Sequence, residues 1–228
     1  LIAGTGNDTI TGGSGNDTIQ FSTTGDLTKN DTVDGGEGTD TVEITTASSI
    51  AGSSKATLTN VEVVDLTTAN GLATFDAGGI ASLTTLKIED GADTSFTVNN
   101  LVDGAKVEIL ADADTTVATT LDTAGTTLGL KLSGDTTTTP TISDAVTLNI
   151  TTGTAATNDI AALVLDDDTT TTLTVTGSTT DSKVTATGAI TGSNVLDSIT
   201  ATTSNAGANV TIGAIVDADA LTSLVANA

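Results

Sequence analysis

Short runs in which apolar and polar residues alternate recur along most of the chain and predict β-strands. In residues 128–132 leucine alternates with Gly and Lys, and in residues 173–176 Leu and Val alternate with Thr. Because successive side chains of a strand point to opposite faces, each run presents one apolar face and one polar face. The pattern therefore predicts strands that cover a core on one side only.

These strands recur at intervals that suit a solenoid. Their centres lie about twenty residues apart, the length of one solenoid rung, and turn dipeptides such as Asp-Gly and Asn-Gly lie between them. The strands are 61–66, 83–88, 106–110, 128–132, 146–150 and 173–176. Hairpins would favour intervals of about 8–12 residues. We therefore expect parallel winding, with β-sandwich modules as the alternative for this second region.

The first forty-odd residues follow a different pattern, a nonapeptide with one apolar position. Residues 4–10, 12–19 and 35–42 read Gly-Gly-x-Gly-x-Asp-x-apolar or close to it, the pattern of calcium-binding β-helix repeats. Gly lets the backbone adopt positive φ and turn its carbonyls inward, and Asp supplies the hard anionic oxygen that Ca²⁺ prefers. Each repeat therefore predicts a metal-binding turn and a short strand whose apolar residue (Ile10, Ile19 or Val42) enters the core.

The spacing of the Asp residues predicts four repeats in two pairs. Asp8 and Asp17 are nine residues apart, and so are Asp31 and Asp40. Residues 20–30 interrupt this register by five residues, and the repeat that ends at Asp31 has lost most of its glycines. We interpret that third repeat as degenerate, and we expect the array to bind calcium.

These repeats resemble the RTX family, the hemolysin-type calcium-binding repeats of bacterial type I secreted proteins. The resemblance implies a flattened parallel β-roll with Ca²⁺ between turns two repeats apart, so that Asp8 pairs with Asp31 and Asp17 with Asp40. It also implies that backbone carbonyls of glycines complete the ligand sets. Those glycines are Gly4, Gly6, Gly13, Gly15, Gly36 and Gly38. We expect residues 1–45 to form the β-roll and residues 46–228 a Thr-rich β-solenoid.

The composition agrees with a thin, all-β core. The chain of 228 residues has three Phe and no Trp, Tyr or Met, and Thr makes up about a quarter of it. Each rung of a parallel β-helix needs only a few aliphatic residues, whereas a globular sandwich usually depends on aromatic ones. The expected fold is therefore a calcium-binding parallel β-roll that continues into a parallel β-helix.

The charge excludes one class of partner and suggests further cation sites. The formal net charge is −23, and all six basic residues are dispersed Lys, so a nucleic-acid-binding face is not expected. No stretch is long and apolar enough to insert into a membrane. Acidic clusters between strands are candidates for additional Ca²⁺ ions. They are Asp90 with Asp93, Asp112 with Asp114, and Asp166, Asp167 and Asp168.

Catalysis is not expected. The chain has no His and no Cys, so it cannot build a Ser-His-Asp or Cys-His nucleophile. A glycosidase would need two facing carboxyl groups and usually aromatic rings to hold the sugar, and aromatic residues are scarce here. The sequence therefore indicates a binding or structural protein rather than an enzyme.

Residues 58–66, 83–86 and 221–224 look like the Thr- and Ala-rich body of RTX-type bacterial surface-layer (S-layer) proteins. The resemblance implies a fragment of an extracellular protein that self-assembles into a calcium-dependent two-dimensional lattice on the bacterial surface. Binding to cell-surface polysaccharide would come from regions outside the fragment.

The alternative is a secreted RTX-type adhesin or ligand-binding solenoid. Thr172, Thr174 and Thr176 would face outward together, but the sequence shows no regular Thr-x-Thr array through many rungs. We therefore do not expect an ice-binding face.

Overall fold

In the computed structural model every described element is a β-strand, and the described residues include no helix. None of them accordingly forms a helix with the length and apolar character needed to cross a membrane. The structure describes residues 1–23, 26–45, 55–67, 74–89, 95–110, 114–121, 126–133, 136–138, 141–143, 145–152, 157–160, 163–165, 170, 172–177, 183–186, 190–191, 195–203, 209–211, 215–216 and 219–227.

The strands follow one another in chain order with links of varying length. They are β1 (Thr9–Ser14), β2 (Thr18–Phe21), β3 (Thr32–Glu37), β4 (Thr41–Ile44), β5 (Thr57–Thr59), β6 (Val63–Leu66), β7 (Thr74–Asp76), β8 (Thr85–Ile88), β9 (Ser95–Leu101), β10 (Lys106–Ile109), β11 (Asp114–Leu121), β12 (Thr126–Leu132), β13 (Thr136–Thr138), β14 (Thr141–Ser143), β15 (Ala145–Thr152), β16 (Thr157–Ile160), β17 (Leu163–Leu165), β18 (Thr172–Gly177), β19 (Lys183–Ala186), β20 (Ile190–Thr191), β21 (Ser198–Thr203), β22 (Asn209–Thr211), β23 (Ile215–Val216) and β24 (Ser223–Asn227).

Three parallel sheets make up the solenoid. A three-stranded sheet has the order β1-β3-β5, and a ten-stranded sheet, here called the long sheet, has the order β2-β4-β6-β8-β10-β12-β15-β18-β21-β24. In the third sheet β7 pairs with β9 and β9 with β11, and β11 then pairs with β13 through one half and β14 through the other. On this side, each later rung consists of two short strands.

One ladder of paired residues runs through all ten strands of the long sheet and sets the rung length. Its members are Ile19, Val42, Val64, Leu86, Val107, Leu130, Ile150, Val175, Ala201 and Ala226. Successive members lie 20 to 26 residues apart, which confirms the predicted winding. Because every strand pair among the described residues is parallel, the structure agrees with a solenoid rather than with the β-sandwich alternative.

All members of this ladder except Ala226, which is exposed in the last strand, lie in the core. Ile19, Val42 and Leu86 have no exposed surface, and Phe21 and Phe75 are the largest of the fully buried side chains. Each rung thus buries a few medium-sized residues, each worth about 1.5–3 kcal/mol. Stacking supplies the rest, because an isolated rung cannot cover its apolar face.

The outward face of the long sheet carries an ion-pair ladder along its first part. Asp65 lies next to Lys87, with the carboxylate oxygen 3.3 Å from the Nζ atom, and Glu108 accepts from Lys131 at 2.5 Å. Burial raises the pKa of Asp65, although Lys87 opposes the change. Burial would also raise the pKa of Glu108, but hydrogen bonds from Lys131 and Ser133 lower it overall. The two carboxylates therefore differ because Glu108 has more donors.

The last four rungs of the long sheet present an uncharged outward face, here called the threonine face. Its paired columns are Thr147, Thr172, Ser198 and Ser223; Asn149, Thr174, Thr200 and Val225; and Thr151, Thr176 and Thr202. Hydroxyls stack within the columns, and the Oγ1 atoms of Thr176 and Thr202 are 3.2 Å apart. Among these four strands only β18 (Thr172, Thr174, Thr176) and β21 (Thr200, Thr202) carry Thr-x-Thr on this face. The expectation that the chain lacks a regular Thr-x-Thr array through many rungs therefore stays a prediction.

The long sheet also crosses the predicted boundary between the β-roll and the solenoid. β4 pairs with β6 from Thr41↔Val63 to Ile44↔Leu66. In both strands the second and fourth residues are buried, and in β6 the third, Asp65, is buried as well. A boundary at residues 45 and 46 stays a prediction, and the backbone hydrogen bonds continue past it.

Candidate calcium-binding turns

Strand register stacks the Gly-Asp turns in the order that the sequence predicts. β1 pairs with β3 and β2 with β4, in both cases between residues 23 positions apart. Residues 4–8 therefore lie on residues 27–31, here called the first stack, and residues 12–17 lie on residues 35–40, here called the second stack. Asp8 is brought to Asp31, and Asp17 is brought to Asp40.

Backbone and side-chain hydrogen bonds hold the second stack together. The Asp17 amide donates to Oδ1 of Asp40 at 2.8 Å, and the Thr39 amide donates to Oδ1 of Asn16 at 2.9 Å. Asp40 has no exposed surface. One oxygen of its carboxylate is therefore fixed by the turn above it.

The other carboxylate oxygens carry the signal for a cation. Oδ2 of Asp8, Asp17 and Asp40 is buried, and none of the three has a hydrogen-bond partner. A buried carboxylate oxygen without a partner is costly, whereas Ca²⁺ binds such oxygens readily. The donor set fits the ion, because hard anionic oxygens and backbone carbonyls are what it requires.

Two glycines that sequence reasoning missed give the second stack its close packing. A Cβ atom on Gly12 would overlap the Gly35 carbonyl oxygen and lie 2.8 Å from Oδ2 of Asp17. A Cβ atom on Gly35 would lie 2.6 Å from Oδ2 of Asp40. Each turn thus places its own carboxylate oxygen beside its first glycine, in a space that a side chain would fill.

The predicted glycines of the second stack have the expected backbone. φ is +113° at Gly13, +101° at Gly15, +101° at Gly36 and +139° at Gly38, a region that favours glycine. The carbonyl oxygens of Gly13 and Gly15 approach Gly36 and Gly38 so closely that Cβ atoms there would overlap them. These two carbonyls therefore lie between the stacked turns, where the RTX resemblance expects ligands.

The first stack offers fewer free oxygens. Oδ1 of Asp31 accepts from the Asp8 amide at 2.7 Å, and Oδ2 of Asp31 accepts from the Thr28 amide at 2.5 Å. Gly6 has φ of +138°, and Gly4 and Gly6 would each accommodate a Cβ without contact. Both carboxylate oxygens of Asp31 thus accept hydrogen bonds from backbone amides. This agrees with a degenerate third repeat. Whether Asp31 also binds metal stays a prediction.

The remaining acidic candidates are not brought together by the residues that the structure describes. Asp90, Asp93, Asp112, Asp166, Asp167 and Asp168 lie outside those residues. Asp114 begins β11, where its backbone pairs with Thr137. Within the described ranges no three acidic side chains converge on one point. Any ion in the stacked turns would therefore depend on carbonyl oxygens as well as carboxylates.

Fold and turns together define a calcium-binding parallel β-solenoid. The family model of the RTX calcium-binding nonapeptide repeat matches residues 1–22 and 27–43, in four copies. The predicted repeat count and the predicted cofactor, Ca²⁺, are thereby confirmed. No curated protein matches the chain, and no solved structure matches it.

Substituting the Asp residues of the stacked turns one at a time should show which of them contribute most to calcium affinity. We expect Asp17→Asn and Asp40→Asn each to weaken calcium binding by about tenfold or more, because each removes charge from a buried oxygen without a partner. Asp34→Asn should have little effect, since Oδ1 of Asp34 accepts from the Asn60 side chain at 2.8 Å. Isothermal titration calorimetry measures the three affinities. The largest loss in Asp34→Asn would show that the register is wrong.

Proposed function

We propose that this chain is part of a structural component of a calcium-dependent bacterial surface layer, which self-assembles into a two-dimensional lattice outside the cell. RTX calcium-binding repeats are typical of secreted calcium-binding proteins that are structural or adhesin-like. In this proposal the partner is another copy of the protein, and the chain acts without catalysis.

The observation that carries the proposal is the threonine face. The chain has a net charge of −23, so two copies repel each other at most orientations. On the outward face of β15, β18, β21 and β24 the paired columns contain no acidic or basic residue. Two copies can approach there without bringing like charges together, and hydroxyl groups supply hydrogen bonds on both sides.

Calcium has a separate role in the proposal. Cations in the stacked turns neutralise carboxylates and give the first rungs one fixed shape. Monovalent salt only screens charge and provides no ligand geometry. Assembly should therefore need Ca²⁺ and not merely ionic strength.

An adhesin-like or ligand-binding solenoid is the second candidate, and the same face supports it. Rows of hydroxyls about 4.8 Å apart across the rungs would suit a regular polar ligand such as a cell-surface polysaccharide. The two functions differ in one observable, because a lattice requires contacts between copies and an adhesin does not.

A test with calcium and one charged substitution separates them. We expect the full-length parent protein to form planar arrays at millimolar Ca²⁺, to stay soluble in EGTA, and not to be rescued by NaCl of equal ionic strength. Thr174→Asp should abolish the arrays by placing like charges in the contact. Thr57→Asp, on the exposed part of β5, is the matched control and should assemble normally. Light scattering and negative-stain imaging give the result; monomers at every calcium concentration would support the adhesin instead.

A further inference from the structure

The stack of turns continues for one step beyond the repeats. The family match ends at residue 43, but the Asp40 amide donates to Oε2 of Glu62 at 2.8 Å. This repeats the bond from the Asp17 amide to Oδ1 of Asp40. Glu62 therefore takes, below Asp40, the position that Asp40 takes below Asp17.

Asn60 takes the position of a glycine in this extra step. Its φ is +49°, in the left-handed region that non-glycine residues seldom adopt, although Asn is one of the exceptions. Its carbonyl oxygen approaches Gly35 so closely that a Cβ on Gly35 would overlap it. The Gly35 carbonyl approaches Gly12 in the same way. The Asn60 carbonyl thus lies against Gly35 as the Gly35 carbonyl lies against Gly12.

One carboxylate oxygen of Asp40 lies beside this additional turn and has no hydrogen-bond partner. Oδ2 of Asp40 is buried without a partner and lies 2.6 Å from the position of a Cβ on Gly35, next to the Asn60 carbonyl. Oδ1 of Asp40 is already bonded to the turn above. The free oxygen and the Asn60 carbonyl oxygen therefore lie on the same side of Gly35, and the Glu62 carboxylate is bonded to the Asp40 amide.

We propose that Asp40, the Asn60 carbonyl and Glu62 bind a further Ca²⁺ ion, at a site whose lower ligands lie outside the RTX repeats. Two carboxylates and a carbonyl supply hard oxygens of the kind that Ca²⁺ takes. Glu62 reaches the turn with a longer side chain than Asp, which suits a step that lacks the full glycine turn. The site would add one Ca²⁺ ion to those bound by the repeats. It does not depend on lattice formation.

Such an ion would connect the repeats to the aliphatic rungs. Asp40 directly precedes β4, Glu62 directly precedes β6, and these two strands pair in the long sheet. Calcium bound there should order the start of β6 as well as the repeats. The calcium requirement would then extend past residue 43.

The test is an ion count on the full chain under conditions where it is monomeric. In Glu62→Gln the amide oxygen still accepts from the Asp40 amide, but the charge is lost, so the variant should fold and bind one Ca²⁺ fewer than the unaltered chain. Glu37→Gln, an exposed residue of the same turn, should bind the full number. Calorimetry with Ca²⁺ alone gives stoichiometry, and circular dichroism at saturating calcium checks the fold.

A second measurement needs no substitution at the site. The chain has only five Glu residues (37, 43, 62, 89 and 108), so their carboxyl ¹³C signals can be followed during a calcium titration of the unaltered protein. The Glu62 signal should shift saturably and the Glu37 signal should not. An unchanged ion count in Glu62→Gln would overturn the proposal. So would a Glu62 carboxyl signal whose chemical shift does not change during the calcium titration. Neither outcome bears on whether copies assemble.

Discussion

Removing calcium with EGTA should unfold residues 1–45 while the aliphatic rungs stay folded. The reason is that three buried Asp oxygens in the turns, on Asp8, Asp17 and Asp40, have no protein partner. Without a cation these carboxylates are desolvated and unpaired, which costs several kcal/mol, and the short strands between the turns cannot hold a roll alone. Hydrogen exchange read by mass spectrometry should show amide protection lost in the repeats and retained in β8 and β10.

Adding ions back provides the controls. Ca²⁺ should restore protection fully, whereas Mg²⁺ should restore much less, because its small octahedral shell suits a site of carbonyls and carboxylates poorly. NaCl at matched ionic strength should have no effect. Equal protection of residues 1–45 with and without EGTA would contradict the role of calcium in folding this segment.

Gly35→Ala should weaken calcium binding by the turns far more than Gly4→Ala. The new Cβ would overlap the Asn60 carbonyl and lie 2.6 Å from Oδ2 of Asp40. Since backbone on one side and a candidate ligand on the other must move, the substitution combines overpacking of about 1–3 kcal/mol with a displaced carboxylate. We expect at least a tenfold loss of calcium affinity, measured by calorimetry.

Gly4→Ala is the matched substitution. A Cβ on Gly4 meets nothing within 4 Å, and Gly4 does not have a left-handed backbone. Its calcium affinity and stability should stay close to those of the unaltered chain. Equal losses in Gly4→Ala and Gly35→Ala would show that close packing at Gly35 is not what the turn requires.

The sequence was sufficient for features that depend on composition and regular spacing. The nine-residue spacing of Asp8 with Asp17 and of Asp31 with Asp40 predicts four repeats, the RTX resemblance implies which turns stack, and strand register brings those turns together. The interval of about twenty residues predicts the rung. Both predictions rest on short sequence patterns, the Gly-Asp turn and the alternating strand, that recur at regular intervals.

Features that depend on register between distant rungs were not predictable in the same way. The alignment of Thr151, Thr176 and Thr202 in one column depends on rungs of 25 and 26 residues, whereas earlier rungs have other lengths. Gly12 and Gly35 gain their role only when turns stack, and Glu62 follows no repeat. Asn60 before Glu62 was a usable signal, since Asn tolerates the left-handed backbone that glycine has elsewhere.

The threonine face has a consequence for symmetry. If identical patches on two copies meet face to face, the contact is isologous, and a two-fold axis relates the copies. Such a contact closes on itself and yields a dimer. A planar array built from this chain therefore needs at least one further contact, isologous or heterologous, elsewhere on the parent protein. The dimer would be its repeating unit.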